Sequence, residues 1–229
     1  MKNIRNMIIA AIAIVSISAS SLFAGSFGVG VTGSMAVVEA SGKETTTGNT
    51  GVAESNQDAT ASNNVAIGSI FAEYTFDGLL GMTFGYEMIP GTADVNSKNL
   101  TRKDARESIH TGNDQGSRNA QAEVSNHNTI YLELPLHAGT YLKAGSVKMD
   151  VKTVDSTDVT GAGTYGDGDV SGKMFGIGYK NNFGESAFYK LEGTHTQFDS
   201  LTLQSSSAEN SITADLDVTK LTFGLGYSF

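Results

Sequence analysis

Leu221-Thr222-Phe223-Gly224-Leu225-Gly226-Tyr227-Ser228-Phe229 places an apolar or aromatic side chain at every second position and ends the sequence on phenylalanine. A period of two is the signature of a β-strand with one apolar face. An apolar strand left as a free edge would template aggregation, so this one has to be closed against a partner. The expected partner is the first strand, near Phe27 to Val37, with Phe223, Leu225, Tyr227 and Phe229 on the outer face and Thr222, Gly224 and Gly226 inside.

Seven more alternating segments precede it. The first spans about Ser26–Glu39, with Phe27, Val29, Val31, Met35 and Val37 on one face. The second, Asn64–Phe76, sets Ile70, Ala72, Tyr74 and Phe76 against Ser69, Phe71, Glu73 and Thr75. Asp77-Gly78 is a two-residue hairpin signal leading straight into a third strand at Leu79–Ile89. A fourth at Asn128–Leu136 turns at His137-Ala138-Gly139. The fifth, running to about Val154, is ambiguous in phase, because Leu142 falls on the polar side of Gly145, Val147, Met149 and Val151; a bulge near Lys143 reconciles them, and the polar face is expected to turn Lys148 inward. The sixth (Ser171–Lys180) and seventh (from Ala187) are joined by a short turn at Asn181–Glu185.

The connections alternate in length. Long ones are expected at 42–63, 91–126, 155–168 and 199–212, and short ones follow strands two, four and six. This asymmetry and the even strand count are those of a transmembrane up-and-down antiparallel β-barrel with four long extracellular loops and three short periplasmic turns. A soluble barrel shares the alternation but faces its apolar side inward. Here the other face carries Glu73, Glu87, Glu133, Lys148, Lys190 and Glu192, whose mixed signs predict a lumen charge network that plugs the interior. Tyr74, Phe76, Tyr179, Tyr227 and Phe229 fall at one level, as an interfacial girdle would.

At the other end, Lys2 and Arg5, the apolar run Met7–Ile17 and a small-residue stretch before Ala24 read as a signal peptide over residues 1–24, leaving a barrel domain at 25–229. The apolar run is shorter than the about 20 residues a spanning helix needs. Loss of Lys2 and Arg5 takes the formal charge from -9 to -11, which argues against nucleic acid as a partner. The sequence has no cysteine, so neither a disulfide framework nor a lipid-anchored cysteine is expected.

Motifs for chemistry are weak. Gly28–Gly33 and Gly161–Gly166 match a dinucleotide fingerprint, but neither lies between a strand and a helix. The four histidines are scattered, and Asp167-Gly168-Asp169 supplies too few oxygens for calcium. No catalytic, cofactor or metal residues are assigned. Arg102, Lys103, Arg106 and Arg118 form a basic cluster in the second long connection, placed to meet lipopolysaccharide phosphates or to act as a solvated loop.

Taken together, the sequence resembles the small eight-stranded outer-membrane barrels of Gram-negative bacteria: the OmpA transmembrane-domain, opacity and OmpW-like porin families. The resemblance rests on architecture and on the final Phe229. It implies an outer-membrane location, recognition of Phe223, Leu225, Tyr227 and Phe229 by the barrel insertion machinery and contact with outer-membrane lipid and lipopolysaccharide; the oligomeric state stays open, with a monomer as the default expectation. It also implies a non-enzymatic surface protein contributing to envelope integrity or loop-mediated interaction. The alternative is a narrow pore for small solutes or, as in the OmpW type, for apolar compounds passing through a side opening. A lipid-modifying enzyme is a third class, which would need lipid turnover through His195 or His137, and His195 in Thr194-His195-Thr196-Gln197 has no serine two residues away.

Overall fold

The computed structural model describes residues 25–46, 56–94, 100–105, 115–157, 164–206 and 210–229. The expected signal peptide, Gly161–Gly163 and Arg106 lie outside them. Ten strands are described: β1 Gly25–Thr46, β2 Asn56–Phe76, β3 Thr83–Asp94, β4 Leu100–Ala105, β5 Gln115–Pro135, β6 Thr140–Thr157, β7 Gly168–Phe183, β8 Ala187–Phe198, β9 Leu201–Gln204 and β10 Asn210–Ser228. Eight of them form a closed antiparallel barrel in the order β1-β2-β3-β5-β6-β7-β8-β10, with β10 returning to β1. The short β4 and β9 pair with β5 and β10 on the edges already used by β3 and β8, continuing those ladders further along the barrel wall.

The terminal strand closes as its pattern requires. Val31 stands opposite Leu225 and Gly33 opposite Phe223 in a ladder running from Gly28↔Ser228 to Thr46↔Asn210. Phe223, Leu225, Tyr227 and Phe229 all point outward, while Thr222 and Gly224 are buried inside. Around the same end the girdle aromatics touch one another, Phe229 meeting Tyr227 and Phe27, Tyr74 meeting Phe76, and Tyr179 meeting Tyr189.

Three sequence expectations change. The strands are much longer than a membrane requires: β1 has 22 residues and β2 has 21, against the roughly 9–11 that cross a bilayer. Much of the expected long connections is therefore strand, and β1 and β2 stay paired out to Thr45↔Asn56. Asp77-Gly78 does not form a two-residue hairpin; the turn occupies Asp77–Gly81, with Leu80 and Gly81 at φ 55° and 73°, and β3 starts at Thr83. No bulge lies at Lys143. The irregularity is in β5 between Ser125 and Asn128, where Asn126 takes φ 51°, and β6 keeps one phase throughout.

The outer surface divides into two zones. Near the short turns and the terminus, Met35, Ile130, Phe175, Ile177, Leu221 and Phe223 project outward, each at least half exposed. An apolar belt of this extent is a liability in water and is the surface a hydrocarbon phase selects. Toward the other end the polarity inverts. Outward positions become Lys148, Asp169, Lys173, His195 and Asp217, while Val147, Met149, Val170, Met174 and Phe198 turn inward and pack as an apolar cluster around Tyr131. The upper barrel is therefore built like a soluble one, standing on a membrane-type base.

Candidate functional site in the lumen

The lumen of the base is filled by an ionic network. Glu73 (β2), Glu87 (β3), Glu133 (β5) and Glu192 (β8) all point inward and are buried. Lys190 Nζ lies 2.8 Å from Glu73 and 3.3 Å from Glu192, and it also pairs with Glu133. Lys143 Nζ lies 2.7 Å from Glu192 and 3.8 Å from Glu87. Lys220 meets Glu87 at 3.0 Å, and Lys180 donates to Glu73 from the turn side. Four carboxylates thus face four ammonium groups, and the formal charges cancel. Ser69 donates to Glu87 at 2.8 Å, and the Tyr131 and Tyr141 hydroxyls donate to Glu73 and Glu192, adding neutral donors to three of the four carboxylates.

Two glycines make room for this packing. A Cβ on Gly85 would sit 2.1 Å from the Tyr131 ring and one on Gly178 2.3 Å from that of Tyr141, so each tyrosine lies flat over a glycine of the neighbouring strand. Rings, salt bridges and hydroxyls together occlude the bore. Nothing in this arrangement resembles a water-filled channel.

Five of the six expected network residues are in place, and Lys148 is the exception. It points outward with its side chain 61% exposed, paired with Asp169 at 3.0 Å, and that carboxylate holds its ammonium above the ordinary lysine value. The reason is the polarity inversion. Lys148 lies on the upper part of β6, where the outer face meets water, so the apolar set Val147, Met149 and Val151 is the inner one. Lys143 on the lower part of the same strand takes the inward role instead. Lys180 and Lys220 complete the cationic side of the network, Lys220 on the inward parity of Thr222 and Gly224. Asp167, read as a turn carboxylate, accepts the Thr153 amide at 3.1 Å. His195 lies on the outer face near the upper rim, against the Thr219 hydroxyl at 3.0 Å. Arg102 and Lys103 fall on β4 and Arg118 on β5, with Arg102 and Arg118 directly opposite in register.

Above the network lies a cavity of about 550 Å³, in the usual range for small-molecule sites. Met149, Met174, Phe198, Leu216 and Val218 line its walls, Thr129, Thr196, His127 and Lys220 supply polar groups at its inner end, and Asn63, Asn64 and Thr92 lie at its open side. It also has an open side. The β2–β3 ladder stops at Ile70↔Met88, whereas β2 remains paired with β1 out to Asn56 and β3 with β5 out to Asp94. Pro90, which has no amide hydrogen to donate, and Gly91 at φ 92° steer β3 away from β2 at that point. Asn64 and Ala66 of β2 and Pro90 of β3 line the same cavity, so the space reaches the exterior through the unpaired stretch. Ala66 stands opposite Met35, an outer belt residue, so the opening begins at the level of the apolar belt.

No protein-family profile matches the sequence, and no curated protein does. Among solved structures, the outer membrane protein OprG from Pseudomonas aeruginosa superposes over 90% of this chain and 96% of its own, at 13% identity and a TM-score of 0.48. The outer membrane protease OmpT from Escherichia coli covers 89% and 97%, at 12% identity and a TM-score of 0.41. Ail, the attachment invasion locus protein of Yersinia pestis, covers 87% and 99%, at 12% identity and a TM-score of 0.35. At those values no function transfers from a neighbour to this chain.

Proposed function

We propose that this protein is a non-enzymatic barrel of the Gram-negative outer membrane that takes small apolar compounds into its upper lumen and exchanges them with the membrane through the opening between β2 and β3. The observation that carries this reading is the end of the β2–β3 ladder at Ile70↔Met88 beside an apolar cavity. A strand pair that parts over an apolar space exposes edges a plain structural barrel would keep paired. The ionic network that fills the bore beneath supports sideways exchange rather than flow through the bore. Outward Phe223, Leu225, Tyr227 and Phe229 fit a terminal strand read by the insertion machinery.

The native sequence has no cysteine, so the opening can be bridged selectively. Ala66→Cys with Thr92→Cys, joined across the gap by a short reducible cross-linker, is expected to stop cellular entry of a small apolar compound until reductant is added. Entry unchanged by the bridge, with either single cysteine as control, would refute lateral exchange.

A separate observation favours lipopolysaccharide contact. The register sets Arg102 opposite Arg118 beside Lys103 in one ladder, and basic residues gathered in that way suit a lipid phosphate. Replacing Arg102, Lys103, Arg106 and Arg118 by serine is expected to lower lipopolysaccharide retention on purification; equal retention would discard the contact.

A further inference from the structure

The cavity is lined mainly by apolar side chains, with Asn63, Asn64 and Thr92 at its open side, and its lower, inner end is not fully satisfied. The Nδ1 of His127 is buried without a hydrogen-bond partner in the protein. His127 reaches this position because of the irregularity in β5: it lies opposite Ile89 of β3 but, between Ser125 and Asn128, has no partner on β6. The Thr194 hydroxyl is a second buried polar atom without a partner, and Thr194 stands opposite Lys220 in the β8–β10 ladder. A buried polar group left unpaired is destabilising, and native proteins rarely retain one without a use for it.

Charge at this end is already balanced. Lys220 is the cation that faces the cavity, and Glu87 neutralises it at 3.0 Å, while Glu87 is itself held by Ser69 and Lys143. An incoming carboxylate or ammonium would be a buried charge without a counter-ion, whereas a hydroxyl or carbonyl would complete the missing hydrogen bond. We infer that the cavity binds uncharged compounds with an apolar body and one hydrogen-bonding group, of the alcohol, phenol or ketone class, with that group directed to His127. This rests on the cavity being a binding site for apolar compounds and names which of them it prefers.

The test uses the full mature chain in lipid nanodiscs and three probes of one chain length: n-octane, n-octanol and octanoate. Binding is measured by calorimetry and corrected with empty nanodiscs. Octanol is expected to bind about three- to ten-fold more tightly than octane, the worth of one net hydrogen bond, with octanoate weakest. His127→Leu should bring octanol down to the octane level and leave octane unchanged, and His127→Gln should restore the preference. Equal binding of octanol and octane, tightest binding of octanoate, or an octanol preference that survives His127→Leu would overturn the inference while leaving the cavity a binding site. If none of the three binds above the empty-nanodisc background, and Met174→Trp, which fills the cavity, changes nothing, both the preference and the underlying function fall.

Discussion

Lys143 and Lys148 lie on opposite rows of one strand's alternation and meet opposite surroundings. Lys143 is buried between Glu192 and Glu87 and stands 3.9 Å from the centre of the Tyr131 ring. Lys148 makes a single exposed contact with Asp169. Removing one partner of a buried pair leaves an uncompensated charge, at a cost of about 3–5 kcal/mol, while an exposed pair contributes about 0–1 kcal/mol. Lys143→Ala is therefore expected to shift urea unfolding in lipid vesicles by several kcal/mol, and Lys148→Ala to leave the midpoint nearly unchanged. Equal effects would mean that β6 has been placed in the wrong phase. The alternation of Val147, Met149 and Val151 could be read from sequence, but Leu142 on the polar row left the phase of the whole strand open. Which face is inside could not be read there, because an apolar row faces lipid at one height and the lumen at another.

At the scale of elements, the irregularity in β5 carries the most consequence. Below it the inward residues are Thr129, Tyr131 and Glu133; above it Val124 faces inward opposite Val151, so the row changes from odd to even positions. Asn126 makes the change at φ 51°, a conformation asparagine and glycine accept and a β-branched residue resists. Its side chain also donates to Asp150 at 2.6 Å. Asn126→Gly is expected to cost a few tenths of a kcal/mol to about 1 kcal/mol, and Asn126→Val about 2 kcal/mol or more, in the same unfolding assay. A valine tolerated as well as glycine would argue that the strand runs through without the shift. The turn after β2 teaches a similar lesson: Asp77-Gly78 is a strong local signal, yet the chain continues to Gly81 before turning into β3.

For the whole molecule, the neutral network and the rings above the turns close the bore, so planar-bilayer recordings should show no steady open steps at neutral pH. Sustained conductance would contradict the plug. The closed ladder of eight strands should also resist detergent until boiled, giving a heat-modifiable band in the outer-membrane fraction. A band unchanged by boiling, or recovery of the protein from the soluble periplasm, would contradict a membrane barrel.

Period-two alternation, an even strand count, three short turns and an apolar last strand were enough to determine a closed transmembrane barrel, the outward set Phe223 to Phe229, and inward Glu73, Glu87, Glu133, Lys190 and Glu192. These follow from local periodicity, which every strand carries by itself. The inversion of inside and outside above the belt, the inward turn of Lys143, the parting of β2 from β3 and the cavity behind it were decided only by the tertiary structure. Each depends on the height of a residue in the barrel and on the register with its neighbours, and those are properties of strand pairs rather than of any one segment.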